Sequence, residues 1–122
     1  MVSVICDTSF LIHLATKRIK NFDNLDVEIG ILNFVVPDVV ISELENLLKK
    51  PDKEKQISRT IDHIKNFETL SIPGNFADKE LINYCLKNSV IIATLDKQLK
   101  KNIKSIGGSI ITIHNDKIIL EY

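Results

Sequence analysis

Residues 90–94 read VIIAT, an apolar run with no alternation and so no polar face. A strand with one wet face alternates; a strand buried on both faces does not, and such strands belong to parallel sheets covered by helices. The rest of the chain supplies the covering. Val2–Cys6 reads as a first strand, followed by a helix from residue 9 to about 18 with Phe10, Leu14 and Ala15 among its apolar positions. Residues 34–36 read as a second strand. Pro37 and Asp38 then open a helix in which Val40, Leu44, Leu47 and Leu48 share one face, and Pro51 ends it. Asp52 reads as the N-cap of a further helix to about residue 67, with Ile57, Ile61 and Ile64 inward. Residues 70–72 form a short strand stopped by Pro73-Gly74.

NFADKELINYCLKNS is the next helix, and DKQLKKNIKSI another, closed by Gly107-Gly108. SIITI, the turn HNDK and IILEY finish as edge strands or a terminal hairpin. Residues 20–33 are irregular: NFDNLD has turn chemistry, and EIGIL suits a short helix or a strand. Strands alternating with helices predict an α/β fold with a largely parallel central sheet. At 122 residues, the expectation is a single domain over 1–122 with a sizeable core.

Sixteen basic and sixteen acidic residues give a formal net charge of zero, so the whole molecule has no bulk attraction for nucleic acid. Distribution matters more. Lys97, Lys100, Lys101 and Lys104 recur at three- and four-residue steps, a solvated helix face or a set of phosphate-backbone contacts beside the acids. Lys49, Lys50, Lys53, Lys55 and Arg59 read as solvent-facing. No apolar run approaches the ~20 residues that span a bilayer, and MVSVIC enters an acid without a basic stretch. Neither a signal peptide nor a membrane partner is expected. Cys6 and Cys85 lack CxxC spacing and read as buried free thiols, which suits a reducing, cytoplasmic setting.

Four acids carry the chemistry. Asp7 ends the first strand, and Asp96 follows VIIAT by one residue. In an open α/β sheet, functional groups gather beyond the carboxyl ends of strands, near a switch in strand order. If the two strands are neighbours, both acids face one crevice. Glu43 borders the buried stripe of its helix. Asp78 shares a face with Leu81, Ile82 and Cys85 and sits in a first turn. Two like charges ~4 Å apart repel by roughly 4 kcal/mol at an effective dielectric of 20, so such a cluster takes up protons or binds cations. Oxygen ligands favour Mg²⁺ or Mn²⁺. There is no Ca²⁺-loop pattern, and His13, His63 and His114 are scattered, which disfavours zinc.

Each acid also has a structural reading. Asp96 could cap the helix after it, as could Thr94. Asp78 could form a capping box with Asn75 or serve the helix dipole. Glu43 could be an exposed helix acid, and Asp7 could cap the helix start at Thr8-Ser9. Ser9 and Thr94 could support a metal-bound water or act as caps. The conjunction of four acids favours the functional reading.

At these residues the sequence resembles the PIN-domain nucleases. The matching pieces are VICDTSFLI, VVPDVVISELENL, ADKELINYCLKN and VIIATLDKQLKKNI, in order and over nearly the whole chain. IIATLDKQLKKNIKSIGGSIITI is similar to the ribosome-biogenesis branch, whose members cleave precursor ribosomal RNA; in size the chain is similar to VapC-type toxin nucleases. The resemblance implies a three-layer α/β/α sandwich with a mostly parallel sheet of about five strands. It implies Mg²⁺- or Mn²⁺-dependent endonucleolytic hydrolysis of single-stranded RNA, leaving 5′-phosphate and 3′-hydroxyl ends. Asp7, Glu43, Asp78 and Asp96 become the catalytic, metal-holding set, with Ser9 and Thr94 in support. The partners it implies are RNA, including ribosomal precursors, a second copy in a homodimer, and an antitoxin on the toxin reading. A non-catalytic RNA-binding module of the same fold is the alternative from another class.

Overall fold

The structure is a computed structural model describing residues 2–20 and 31–121. Strand β1 (Val2–Cys6) leads into helix α1 (Thr8–Thr16), and β2 (Leu32–Pro37) into α2 (Asp38–Leu48) and α3 (Glu54–Ile64). Strand β3 (Glu68–Leu70) precedes α4 (Ala77–Lys87), and β4 (Ile91–Ala93) precedes α5 (Lys97–Ser105). Strand β5 (Ser109–His114) turns directly into β6 (Lys117–Glu121). The strands make one sheet in the order β3-β2-β1-β4-β5-β6. All pairings are parallel except β5 with β6. Helices α1, α2 and α3 pack among themselves and α4 packs on α5, completing an α/β sandwich.

The sheet has six strands among the described residues, one more than expected. The sixth is the returning arm of the terminal hairpin. Its turn residues Asn115 (φ 52) and Asp116 (φ 61) are both left-handed, the geometry of the two-residue turns that join antiparallel strands. The uniformly apolar run is explained by its position: β4 lies between β1 and β5, and Ile92 and Ala93 are fully buried. Phe10, Leu11, Val40, Leu44 and Ile57 cover the sheet from the first helix group, and Leu81, Leu99 and Ile103 from the second.

Three local expectations are corrected. Residues 51–53 form a turn and α3 begins at Glu54, so Asp52 is not its cap; Lys53 holds that place without a side-chain bond. The third strand starts at Glu68 because its register runs Val35↔Glu68 to Pro37↔Leu70, reinforced by Asn33 Nδ2 donating to Glu68 Oε2 at 2.7 Å. Ile72 instead enters the core while its N–H donates to Asp38 Oδ1 at 2.8 Å. Cys85 is only half-buried, whereas Cys6 is fully buried; both are free thiols. The irregular reading of 21–30 lies outside the described residues. None of the described helices is long and apolar enough to cross a membrane.

The topology creates one privileged place. The chain steps from β1 to β2 on one side, then enters β4 on the other side of β1. The carboxyl ends of β1 and β4 therefore flank a switch in strand order, with Cys6 paired to Ala93.

Candidate active site

Asp7 stands at that switch and is 3% exposed. Its N–H donates to Ala93 O at 3.0 Å, which locks the end of β1 to the end of β4. Its carboxylate caps α1: Oδ1 accepts from Phe10 N at 3.0 Å and from Ser9 Oγ at 2.9 Å. Oδ2 accepts a short hydrogen bond from Thr94 Oγ1. Three donors favour the ionised form, but burial is the larger effect. Together with the nearby charge of Asp78, it pushes the Asp7 carboxyl up to about 6.

Ser9 and Thr94 are a brace between two strand ends. Ser9 Oγ also accepts from Leu95 N at 3.0 Å, and Thr94 Oγ1 accepts from Asp96 N at 3.0 Å. Thr94 N donates to Ile111 O at 3.0 Å, so the brace extends to β5. Asp96 caps α5 through Oδ1, which accepts from Leu99 N at 2.9 Å. Its structural reading is thus real, and it coexists with placement at the crevice.

Two helices bring the other acids. Glu43 lies on α2, beside fully buried Leu44, and Asp78 lies in the first turn of α4. Phe76 is the residue that precedes α4, so Asn75 forms no capping box with Asp78. Partial burial, then the charges of Asp96 and Glu43, raise the Asp78 carboxyl above the ordinary carboxylate range. Asp7, Glu43, Asp78 and Asp96 line a single open cavity of about 540 Å³ with Thr8, Ser9, Ile12, Asn75, Phe76, Ala77 and Lys79.

A family model described as a PIN like domain matches residues 4–116. The chain belongs to the PIN-domain nucleases. It is 32% identical over 125 residues to Ribonuclease VapC4 of Methanocaldococcus jannaschii, covering 96% of this chain and 94% of that protein. Its fold matches the solved PIN domain endonuclease Utp24 with a TM-score of 0.79 and 28% identity, over 98% of this chain and 90% of that one.

As a PIN-domain nuclease the chain is a hydrolase of phosphodiester bonds, and its cavity has the donor chemistry such a site needs. Among the described residues every ionisable ligand in it is a carboxylate, and no histidine or cysteine lines it. Oxygen-only donors suit hard divalent ions. Among the described residues no three His, Cys, Asp or Glu side chains are set to hold an ion by themselves. Mg²⁺-type ions do not require that: they keep several waters and bind through one or two carboxylates plus substrate phosphate.

The structure therefore brings all four acids, Ser9 and Thr94 together. It does not bring the lysine series with them. Lys104 Nζ lies 2.9 Å from Glu121 Oε2 on β6, and that bond, with Lys100 nearby, lowers the Glu121 carboxyl. Lys97, Lys100, Lys101 and Lys104 are all absent from the cavity wall. The cation that does line it is Lys79, together with the exposed ring of Phe76. Both flank the third acid at the start of its helix.

Proposed function

We propose that this protein is a Mg²⁺- or Mn²⁺-dependent endoribonuclease acting on single-stranded RNA. The observation that carries the reading is the convergence of four carboxylates, from β1, α2, α4 and the end of β4, on one cavity at the strand-order switch. Asp7, Glu43, Asp78 and Asp96 would hold the ions. When bound, such ions supply Lewis-acid stabilisation of charge developing on the phosphodiester and make a water nucleophile accessible near neutral pH. Ser9 and Thr94 hold the Asp7 carboxylate in place by donating to its two oxygens. Asp96 and Asp78 are fixed by the start of their helices, so the acids are presented on rigid elements.

The test is cleavage of a labelled single-stranded RNA by the wild type, Asp7→Asn and Asp96→Asn. Cleavage should require Mg²⁺ or Mn²⁺, should stop in excess EDTA, and should be lost in both variants with the fold intact. Full activity in either variant, or in EDTA, defeats the mechanism.

The role in the cell is proposed as RNA maturation in the cytoplasm, ribosomal precursors included. The similarity to Ribonuclease VapC4 favours a second reading, a toxin ribonuclease held by an antitoxin. Expression separates them: a toxin arrests growth, while a maturation enzyme leaves growth unaffected and co-sediments with ribosomal precursors.

A further inference from the structure

Phe76 is 70% exposed, the most exposed large apolar side chain among the described residues. Its position is unlike that of the other described phenylalanines. Phe10 and Phe34 pack with ring centroids 5.8 Å apart, and Phe34 and Phe67 with centroids 6.1 Å apart, against the core. Among the described residues Phe76 forms no such contact, and it instead lines the cavity that holds the four acids. Its backbone is fixed: Phe76 O accepts from Glu80 N at 3.0 Å, and the next residue, Ala77, is 3% exposed. The ring is therefore presented outward by a rigid helix start.

Lys79 is three positions further on, in the first turn of α4, and both residues line the same cavity at this helix start. Lys79 is exposed and forms no ion pair among the described residues, although carboxylates surround it. A neutral chain with an acidic site must attract a polyanion by local contacts. An aromatic face beside a cation is what an unpaired nucleotide requires: base on ring, phosphate on ammonium.

We propose that Phe76 and Lys79 form a nucleotide-holding lip on the acidic cavity, with Phe76 stacking one unpaired RNA base next to the scissile phosphate and Lys79 contacting the adjoining phosphate. The proposal rests on the endoribonuclease reading for its substrate. It makes Phe76 a positioning residue, since the ring touches a base and not the reacting bond. Stacking of this kind tolerates any base, so the lip selects single strands over duplexes rather than one sequence over another.

The experiment separates binding from cleavage. Binding of a labelled single-stranded RNA oligonucleotide is measured in Mn²⁺ in the Asp7→Asn background, and cleavage in the otherwise native protein. Phe76→Ala should weaken binding about tenfold or more. Phe76→Leu, still apolar but without a ring, should be as weak, and Phe76→Trp should restore affinity. In cleavage the loss should fall on KM with kcat little changed. Replacing one nucleotide by an abasic one, at each position in turn, should at one position cost the parent the same factor and cost Phe76→Ala nothing more. Lys79→Ala should reduce the slope of log affinity against log salt by about 0.7. Undiminished binding by Phe76→Ala, rescue by leucine, an abasic penalty that persists in Phe76→Ala, or an unchanged salt slope in Lys79→Ala overturns the lip. Cleavage by the native protein with any of these results leaves the endoribonuclease standing without it. Ring-dependent binding with no cleavage supports the lip and removes the hydrolytic reading; neither binding nor cleavage removes both.

Discussion

Asp7 shows which of two opposed effects wins at a single carboxyl. Three hydrogen bonds favour its charge, but near-complete burial, helped by Asp78, raises it to about 6. The unfolded chain loses this proton near the ordinary value of about 4. Between those pH values the folded state holds more protons, so stability falls as pH rises through the window, and the full penalty applies above about 6. A two-unit shift corresponds to about 3 kcal/mol. Asparagine has the same shape and no charge, and its amide oxygen still accepts from Phe10 N. Metal-free Asp7→Asn should therefore be more stable than wild type by about 1–3 kcal/mol at pH 7.5, the gain vanishing towards pH 4. Urea unfolding across that range measures it. A difference that does not change with pH would assign the effect to packing instead.

Helix α5 starts at a residue that is both a cavity-lining acid and a structural cap. Asp96 caps its start, and its end closes with Gly107 N donating to Lys104 O at 3.0 Å and Gly108 N to Ile103 O at 2.9 Å, with Gly107 left-handed at φ 84. Asparagine caps as well as aspartate, whereas alanine does not, and loss of the cap costs about 1 kcal/mol. Asp96→Asn should then unfold within about 0.5 kcal/mol of wild type and Asp96→Ala about 1 kcal/mol below it, with cleavage lost in both. If Asp96→Asn retains cleavage, the residue is only a cap. Elements of this kind were legible in the sequence because their signals are local: an apolar run at β4, a capping acid and a Gly-Gly stop around α5, an acid at the end of β1. The start of β3 was not, because it is decided by register against β2, where Glu68 pairs with Val35, 33 positions earlier. The same division holds in the site. The four acids could be read from helix phase and strand ends. Phe76 was absorbed into the expected helix, since an exposed ring at a helix boundary breaks no periodicity. The pairing of Lys104 with Glu121 is not legible either, because it depends on β6 folding back beside α5.

At the scale of the whole molecule, the fold works against its own acids. The parallel sheet and both helix groups hold four carboxylates on one cavity wall, where two of them already resist ionisation. Anything that binds the folded form and not the unfolded one stabilises it, by about 2.7 kcal/mol at a hundred times the dissociation constant. For a domain of this length each kcal/mol is about 3–5 °C in Tm. Saturating Mn²⁺ should thus raise Tm by roughly 10 °C at pH 7.5. Protons compete for the same oxygens, so the rise should be much smaller at pH 5, below the point where Asp7 ionises. Asp7→Asn should start from a higher metal-free Tm and gain less from the ion. Salt at matched ionic strength controls for screening, which weakens repulsion between exposed charges at any pH. The measurement is a thermal melt of both proteins at the two pH values, with Mn²⁺ and with the matched salt. A Tm rise that is equal at both pH values, or equally large in Asp7→Asn, would mean that the ion binds elsewhere and that the convergence of the acids has another cause.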